Sequence, residues 1–143
     1  MGNKSSIQKI SFEDVQNIVQ HKKRNYLIIN TLDVTTQQCL IPNTINIQQE
    51  EQIINKYLNK NISSVIYGKN CNDENIFKKY EQLVSLGFVN VYIYTGGMFE
   101  WLLMQEVYGK EAFPTNGDEL DILKFRPDSI LLHNKLLEDG MID

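Results

Sequence analysis

The sequence predicts an α/β domain built on a mostly parallel central sheet with helices on both faces, a three-layer sandwich. Three observations lead there. Short continuous apolar runs recur along the chain, as expected of strands buried on both faces. Segments with apolar residues at i, i+3 and i+4 lie between them. The links are short, so strand and helix alternate in the manner of βαβ units.

Taken in order, Ile10-Ser11-Phe12 reads as a brief strand. Ser11 then suits the N-cap of a helix from Phe12 to His21, with Asp14 placed three residues on as an acidic capping partner. Tyr26-Leu27-Ile28-Ile29 is a buried strand, and Thr44-Ile45-Asn46-Ile47 is a second. An amphipathic helix carrying Ile53, Ile54, Tyr57 and Leu58 follows. Ser64-Val65-Ile66-Tyr67 and Val91-Tyr92-Ile93-Tyr94 complete the sheet. Between those two runs a helix is expected from Asp73 to Leu86, with Gly87 ending it in a positive-φ conformation. The segment Gly97–Tyr108 reads as an unusually apolar helix. Either it offers a second contact surface, or the segment from Phe113-Pro114 to Phe125 folds back over it. Asn116 or Asp118 is expected to start a short helix carrying Leu120, Ile122 and Leu123. Arg126-Pro127 breaks that pattern, and another short apolar helix is expected from Ser129. The resulting division is a flexible terminus over 1–9, a domain over 10–110, and an extension over 111–143 with one or two short helices.

Composition narrows the function. With 143 residues the chain fits one domain with a proper core. The formal net charge is −4, and the one basic cluster, Lys22-Lys23-Arg24, reads as a solvated turn, so a nucleic-acid partner is not expected. Two cysteines, Cys39 and Cys71, imply no disulfide framework. His21 and His133 have no ligand-type neighbours at metal-binding spacing, so neither metal nor other cofactor is expected. No apolar run is long enough to span a membrane, and a cytoplasmic setting is the default expectation.

In a parallel sheet the ligand crevice forms at the carboxyl ends of the strands, which directs attention to the loop after Tyr67. Three segments in order give that loop a context. Cys39-Leu40-Ile41-Pro42-Asn43-Thr44-Ile45-Asn46-Ile47 resembles the G-H-I-P-G-A-x-N-I stretch of the rhodanese-homology domain. Val65-Ile66-Tyr67 with its following loop and helix is similar to the strand that delivers that family's nucleophile. Leu86-Gly87-Phe88-Val89-Asn90-Val91-Tyr92, then Gly96-Gly97 and Trp101, resembles the family's L-G-F-x-N-V-x, G-G and W. The resemblance runs from about Ile10 to Tyr108 and implies a rhodanese-like fold.

It also implies a catalytic cysteine after the strand, with loop amides and a helix dipole cradling its persulfide or phosphate. Here the matching position is Gly68, which has no sulfur to carry and forms no covalent intermediate. The remnant loop reads Lys69-Asn70-Cys71-Asn72-Asp73-Glu74-Asn75, about two residues longer than the common pattern and without arginine. Asp73 and Glu74 put negative charge where the family holds an anion. At about 4 Å and an effective dielectric of 20, like charges repel by roughly 4 kcal/mol. Asp73 also suits the N-cap of the next helix. Cys71 is the fallback nucleophile, flanked by asparagines and lacking a His or Arg partner. The family's aspartate after the second strand matches Asn30, or Asp33 if the register slips, while Leu40 replaces its histidine and Asn43 its glycine.

The expected function is therefore a non-catalytic module that binds or scaffolds proteins. Family members with an empty nucleophile position serve as regulatory units, some at centrosomes and cilia, so the resemblance points to a microtubule or axonemal partner. The alternative is a sulfurtransferase or a phosphatase related to the family, using Cys71. Partner-binding candidates are Phe99, Leu131, Leu132 and Leu136. Met1-Gly2-Asn3-Lys4-Ser5-Ser6 fits the N-myristoylation pattern at Gly2, which alone supports only weak membrane association.

Overall fold

The computed structural model describes residues 7–21 and 25–132. Four parallel strands form its sheet: β1 (Gln8–Ile10), β2 (Tyr26–Asn30), β3 (Ser63–Tyr67) and β4 (Asn90–Tyr94). The spatial order is β1-β4-β3-β2. The register aligns Ile10 with Tyr94, Tyr94 with Tyr67, and Tyr67 with Asn30. All four strands thus end in one row, and the loops that leave them share one edge.

The helices are α1 (Phe12–Gln20), α2 (Glu50–Lys56), α3 (Asn75–Ser85) and α4 (Gly97–Tyr108). Because strand side chains alternate between faces, the sheet has two cores. Ile28, Val65, Tyr67 and Tyr94 pack with α1 residues Val15, Ile18 and Val19 and with α4 residues Met98, Trp101 and Leu102. Leu27, Ile29, Ile66 and Ile93 pack with Ile54 of α2 and with Ile76 and Leu83 of α3. Each such side chain contributes about 1.5–3 kcal/mol by leaving water. The fold is the three-layer α/β arrangement around a parallel sheet that the sequence predicts.

Four local expectations are corrected. The first strand is Gln8–Ile10 rather than Ile10–Phe12, so it begins inside the stretch assigned to a flexible terminus. Ser11 is taken by the helix: its amide and hydroxyl both meet the Asp14 carboxylate, completing a capping box that ends the strand at Ile10. Thr44–Ile47 is no strand. Thr44 makes one isolated bridge to Ile28, and its hydroxyl turns to the Tyr67 phenol at 2.8 Å. Asn43 before it has φ of 70°, and Asn46 after it accepts the Gln48 amide, so local polar contacts bend both sides. The third helix starts at Asn75, two residues later than expected. Neither Asn116 nor Asp118 begins a helix: Asn116 pairs with Leu40, and a single 3-10 turn forms over Ile122–Phe125.

The broad apolar surface of α4 is partly explained by the segment that follows it. Phe113 and Phe125, each 2% exposed, fold back into the α1/α4 core. The Trp101 indole meets the Phe113 ring edge-on, with centroids 5.1 Å apart, and donates its N–H to the Pro114 carbonyl at 2.8 Å. Gln105 holds the same segment through the Phe113 carbonyl.

Candidate functional site

The loop from Gly68 to Glu74 leaves β3 at the shared C-terminal edge and enters α3. Its backbone is pinned from the side by α4. The Met98 and Phe99 amides at the start of that helix donate to the Gly68 and Lys69 carbonyls at 2.9 and 3.0 Å. This approach needs glycine at 97, where φ is 65° and a Cβ would lie 2.6 Å from the Gly68 oxygen. The Gly-Gly pair therefore serves contact with the loop as much as the turn itself.

Asp73 organises the loop's interior. Its Oδ2 accepts the Lys69 amide and the Thr31 hydroxyl, both at 3.0 Å, while Oδ1 accepts the Asn75 amide at 3.0 Å. Asp73 does satisfy a donor at the head of α3, but from one residue before the N-cap position, which Glu74 occupies. Two amide donors and a hydroxyl thus converge on an anion that belongs to the chain. The same carboxylate fills the space beside Gly68. A Cβ there would lie 2.2 Å from Asp73 Oδ2, 2.6 Å from Thr31 Oγ1 and 2.9 Å from Ile76 Cγ2.

The remaining loop residues divide in two. Asn70 is buried, donates to the Phe125 carbonyl at 2.9 Å and accepts the Asn72 amide at 2.8 Å, tying the loop to the C-terminal extension. Lys69, Cys71 and Asn72 are exposed. Cys71 Sγ has Asn72 Oδ1 at 3.8 Å as its hydrogen-bond partner. The other thiol, Cys39, is buried, which raises its pKa; its Sγ lies 3.7 Å from the Gly117 carbonyl. Asn30 is likewise an internal strut: its amide oxygen accepts Leu32 N–H and Gln37 Nε2, and it is 2% exposed. Asp33 is exposed. Leu40 is half-buried against the core, and burial pushes the neighbouring Tyr67 phenol above its usual range.

An open cavity of about 1110 Å³ lies over the loop, bounded by Thr31, Asp33, Cys71, Glu74, Lys124 and Ile130 among others. The structure thus gathers Lys69, Asn70, Cys71, Asn72 and Asp73 around one depression. Thr31, Lys124 and Phe125 join them, and sequence reasoning did not select these. Thr31 follows a strand like any loop threonine, and Phe125 is separated from Asn70 by 55 residues, so neither announces itself.

Of the partner-binding candidates, Phe99 is half-buried against the α1/α4 core. Leu131 and Leu132 are 84% and 57% exposed in a helical segment that begins at Ile130. Leu136 and Gly2 lie outside the described residues. No described helix is long and apolar enough to cross a membrane.

Comparison with known proteins agrees with the architecture. The family model for the rhodanese-like domain matches residues 7–104. A Bacillus halodurans protein of known structure is 19% identical, with a TM-score of 0.60 and 77% of each chain covered. The rhodanese-like domain of an Anabaena protein is 20% identical, with a TM-score of 0.57 and 87% of each chain covered. A single-domain sulfurtransferase of Saccharomyces cerevisiae is 16% identical, with a TM-score of 0.54, covering 75% of this chain and 98% of its own. At these identities the solved structures speak for the fold alone. No curated protein sequence matches the chain. With the family model spanning most of the described residues, and the sheet and its loop built accordingly, the chain belongs to the rhodanese-like domain family.

Proposed function

We propose that this rhodanese-like domain works by binding rather than by catalysis. The observation that carries the reading is the double occupation of the loop after β3. Glycine stands where the resemblance calls for a nucleophile, and the Asp73 carboxylate fills both the space beside it and the donors around it. A free thiosulfate or phosphate ester would have to displace a covalently attached anion held by three hydrogen bonds. Such charge-assisted bonds contribute about 1.5–3 kcal/mol each. The hydrogen-bond partner of Cys71 is the Asn72 amide oxygen, not a cation.

The partner is proposed to be a protein, with a microtubule or axonemal component as the first class to test. The exposed residues Ile130, Leu131 and Leu132 beside the cavity supply apolar contact area for it.

The test is a thiosulfate:cyanide transfer assay and a phosphate-ester hydrolysis assay on the whole chain. No turnover above buffer is expected in either. Turnover that disappears in Cys71→Ser would overturn the reading. A companion experiment removes residues 127–143. Phe125 is the last deeply buried residue described, so the shortened chain should keep its melting temperature while losing its main pull-down partner.

A further inference from the structure

Asn116 and Gly117 are the one Asn-Gly pair in the sequence, and they sit where the C-terminal extension turns back along the domain. Asn116 pairs with Leu40 through two main-chain hydrogen bonds, donating its N–H at 2.8 Å and accepting the Leu40 N–H at 3.1 Å. Thr115 is buried beside it. Its hydroxyl donates to the Gly117 carbonyl at 2.8 Å and accepts the Gln105 side-chain amide of α4 at 3.1 Å. This turn is thereby fastened on one side to α4 and on the other to the segment at Leu40.

Packing dictates glycine at 117. Its φ is 86°, and a Cβ there would lie 2.0 Å from the Gln38 carbonyl oxygen. The fold therefore keeps at this position the residue type that leaves its backbone nitrogen least shielded. Asn116 is exposed. Among the described residues, neither its side-chain amide nor the Gly117 N–H has a hydrogen-bond partner. An electrophilic amide carbon and an unshielded amide nitrogen thus stand on adjacent residues, placed to close a cyclic imide.

We propose that Asn116–Gly117 is a self-modifying site, where the asparagine deamidates through a succinimide and the product loosens the extension. The Gly117 nitrogen attacks Cγ of Asn116. The N–Cγ bond forms, the Cγ–Nδ2 bond breaks, and Nδ2 departs as ammonia with the proton from the Gly117 N–H. Water then opens the ring. Opening at Cγ gives aspartate, and opening at the main-chain carbonyl carbon gives isoaspartate, whose main chain runs through Cβ and Cγ. Water is the only co-reactant, and nothing is oxidised or reduced. Ring closure turns the Asn116 main chain out of its paired geometry, so the Leu40 bridge and the Thr115 hydroxyl act as the gate. Reaction proceeds from the locally open state. Both products carry a carboxylate beside Asp118 and Glu119, and isoaspartate adds a methylene that puts residue 116 out of register with Leu40. The extension that buries Phe113 and Phe125 closes less well after conversion. The Gly68–Glu74 loop takes no part in this chemistry.

The experiment incubates the purified whole chain at mildly alkaline pH, samples it over days, and digests each sample with trypsin for mass spectrometry. Cleavage after Lys110 and Lys124 isolates Asn116 as the only asparagine of its peptide, while Asn61 and Asn72, both exposed, fall on other peptides as internal controls. The peptide 111–124 is expected to gain the mass of amide-to-acid conversion first. The converted chain, separated by ion exchange, should melt below the parent. Asn116→Gln, which retains the main-chain bridge, should stay unconverted and keep its melting temperature over the same time. Thr115→Val, verified as folded by circular dichroism, should convert about two- to tenfold faster, the rise in open population that one lost hydrogen bond gives. Conversion of Asn61 or Asn72 ahead of Asn116 overturns the inference. So does a folded chain that stays intact while the urea-unfolded chain converts, a Thr115→Val rate equal to the parent's, or a converted chain that melts like the parent.

Discussion

The loop of Gly68–Glu74 and the seam between α4 and residues 113–125 are neighbours that hold together by opposite means. The loop is polar and closes on one carboxylate, whose three hydrogen bonds come from Lys69, Thr31 and Asn75. The seam is apolar and closes by burying Trp101, Phe113 and Phe125. Hydrogen bonds are directional and depend on each partner, so one substitution can change what the loop binds with a modest loss of stability. Burial is non-directional and spread over many contacts, so a substitution in the seam costs stability without altering any chemistry. Asn70 joins the two regions through the Phe125 carbonyl, which makes the loop's shape partly dependent on the seam.

The largest expected effect tests the seam. Trp101→Ala should lower unfolding free energy by about 3–5 kcal/mol in urea titration, because it leaves a cavity and strips the Pro114 carbonyl of its donor. A loss below about 1 kcal/mol would mean that the seam does not support the fold.

The next tests the loop. Asp73→Ala should cost about 1–3 kcal/mol, since the Lys69 and Asn75 amides and the Thr31 hydroxyl lose their acceptor. The variant should also become more heat-stable in sulfate than in chloride, relative to the parent, as the emptied donors accept a free anion. If parent and variant respond to sulfate alike, Asp73 is not holding an anion's place.

Gly68→Cys sharpens the same point. Alone it should cost about 1–3 kcal/mol by overpacking against Asp73 and Thr31, and show no thiosulfate turnover. Combined with Asp73→Ala, the total loss should fall short of the sum of the two, because the nearest colliding atom, Asp73 Oδ2, is gone. Additive losses would place the collision elsewhere.

The smallest effect lies at the rim, where Lys124 of the extension pairs with Glu119. The hydrogen bond from Lys124, with the Asp121 amide, holds the Glu119 carboxyl below its ordinary 4.5. A depressed acid stabilises the fold above its unfolded pKa, and that stability is lost as pH falls through the folded value. Lys124→Ala should therefore lower stability slightly at neutral pH, by no more than about 1 kcal/mol, and flatten the decline on acidification. A parallel acid profile in the variant would show the pair to be inert.

Much of this protein is legible in order along the chain. Continuous apolar runs such as Tyr26–Ile29 and Ser64–Tyr67, and the 3.6-residue spacing of Ile76, Phe77, Tyr80 and Leu83, specify buried strands and an amphipathic helix locally. The Ser11–Asp14 capping box and the left-handed Gly87 were readable for the same reason: their partners lie within a few residues. Thr44–Ile47 misled because its strand-like composition competes with side-chain bonds to Ile41 and Tyr67, one of which is distant in sequence.

The site divides along the same line. Glycine at 68 and acids at 73 and 74 are facts of the sequence, and they suffice to predict a loop without a nucleophile in the matching position. That Asp73 turns inward onto Lys69 and Thr31, and that Phe125 anchors Asn70, were decided by tertiary structure alone. Periodicity and capping are short-range and write themselves into neighbouring residues. Contacts across 42 or 55 residues leave no local trace until parallel strands bring their loops to a common edge.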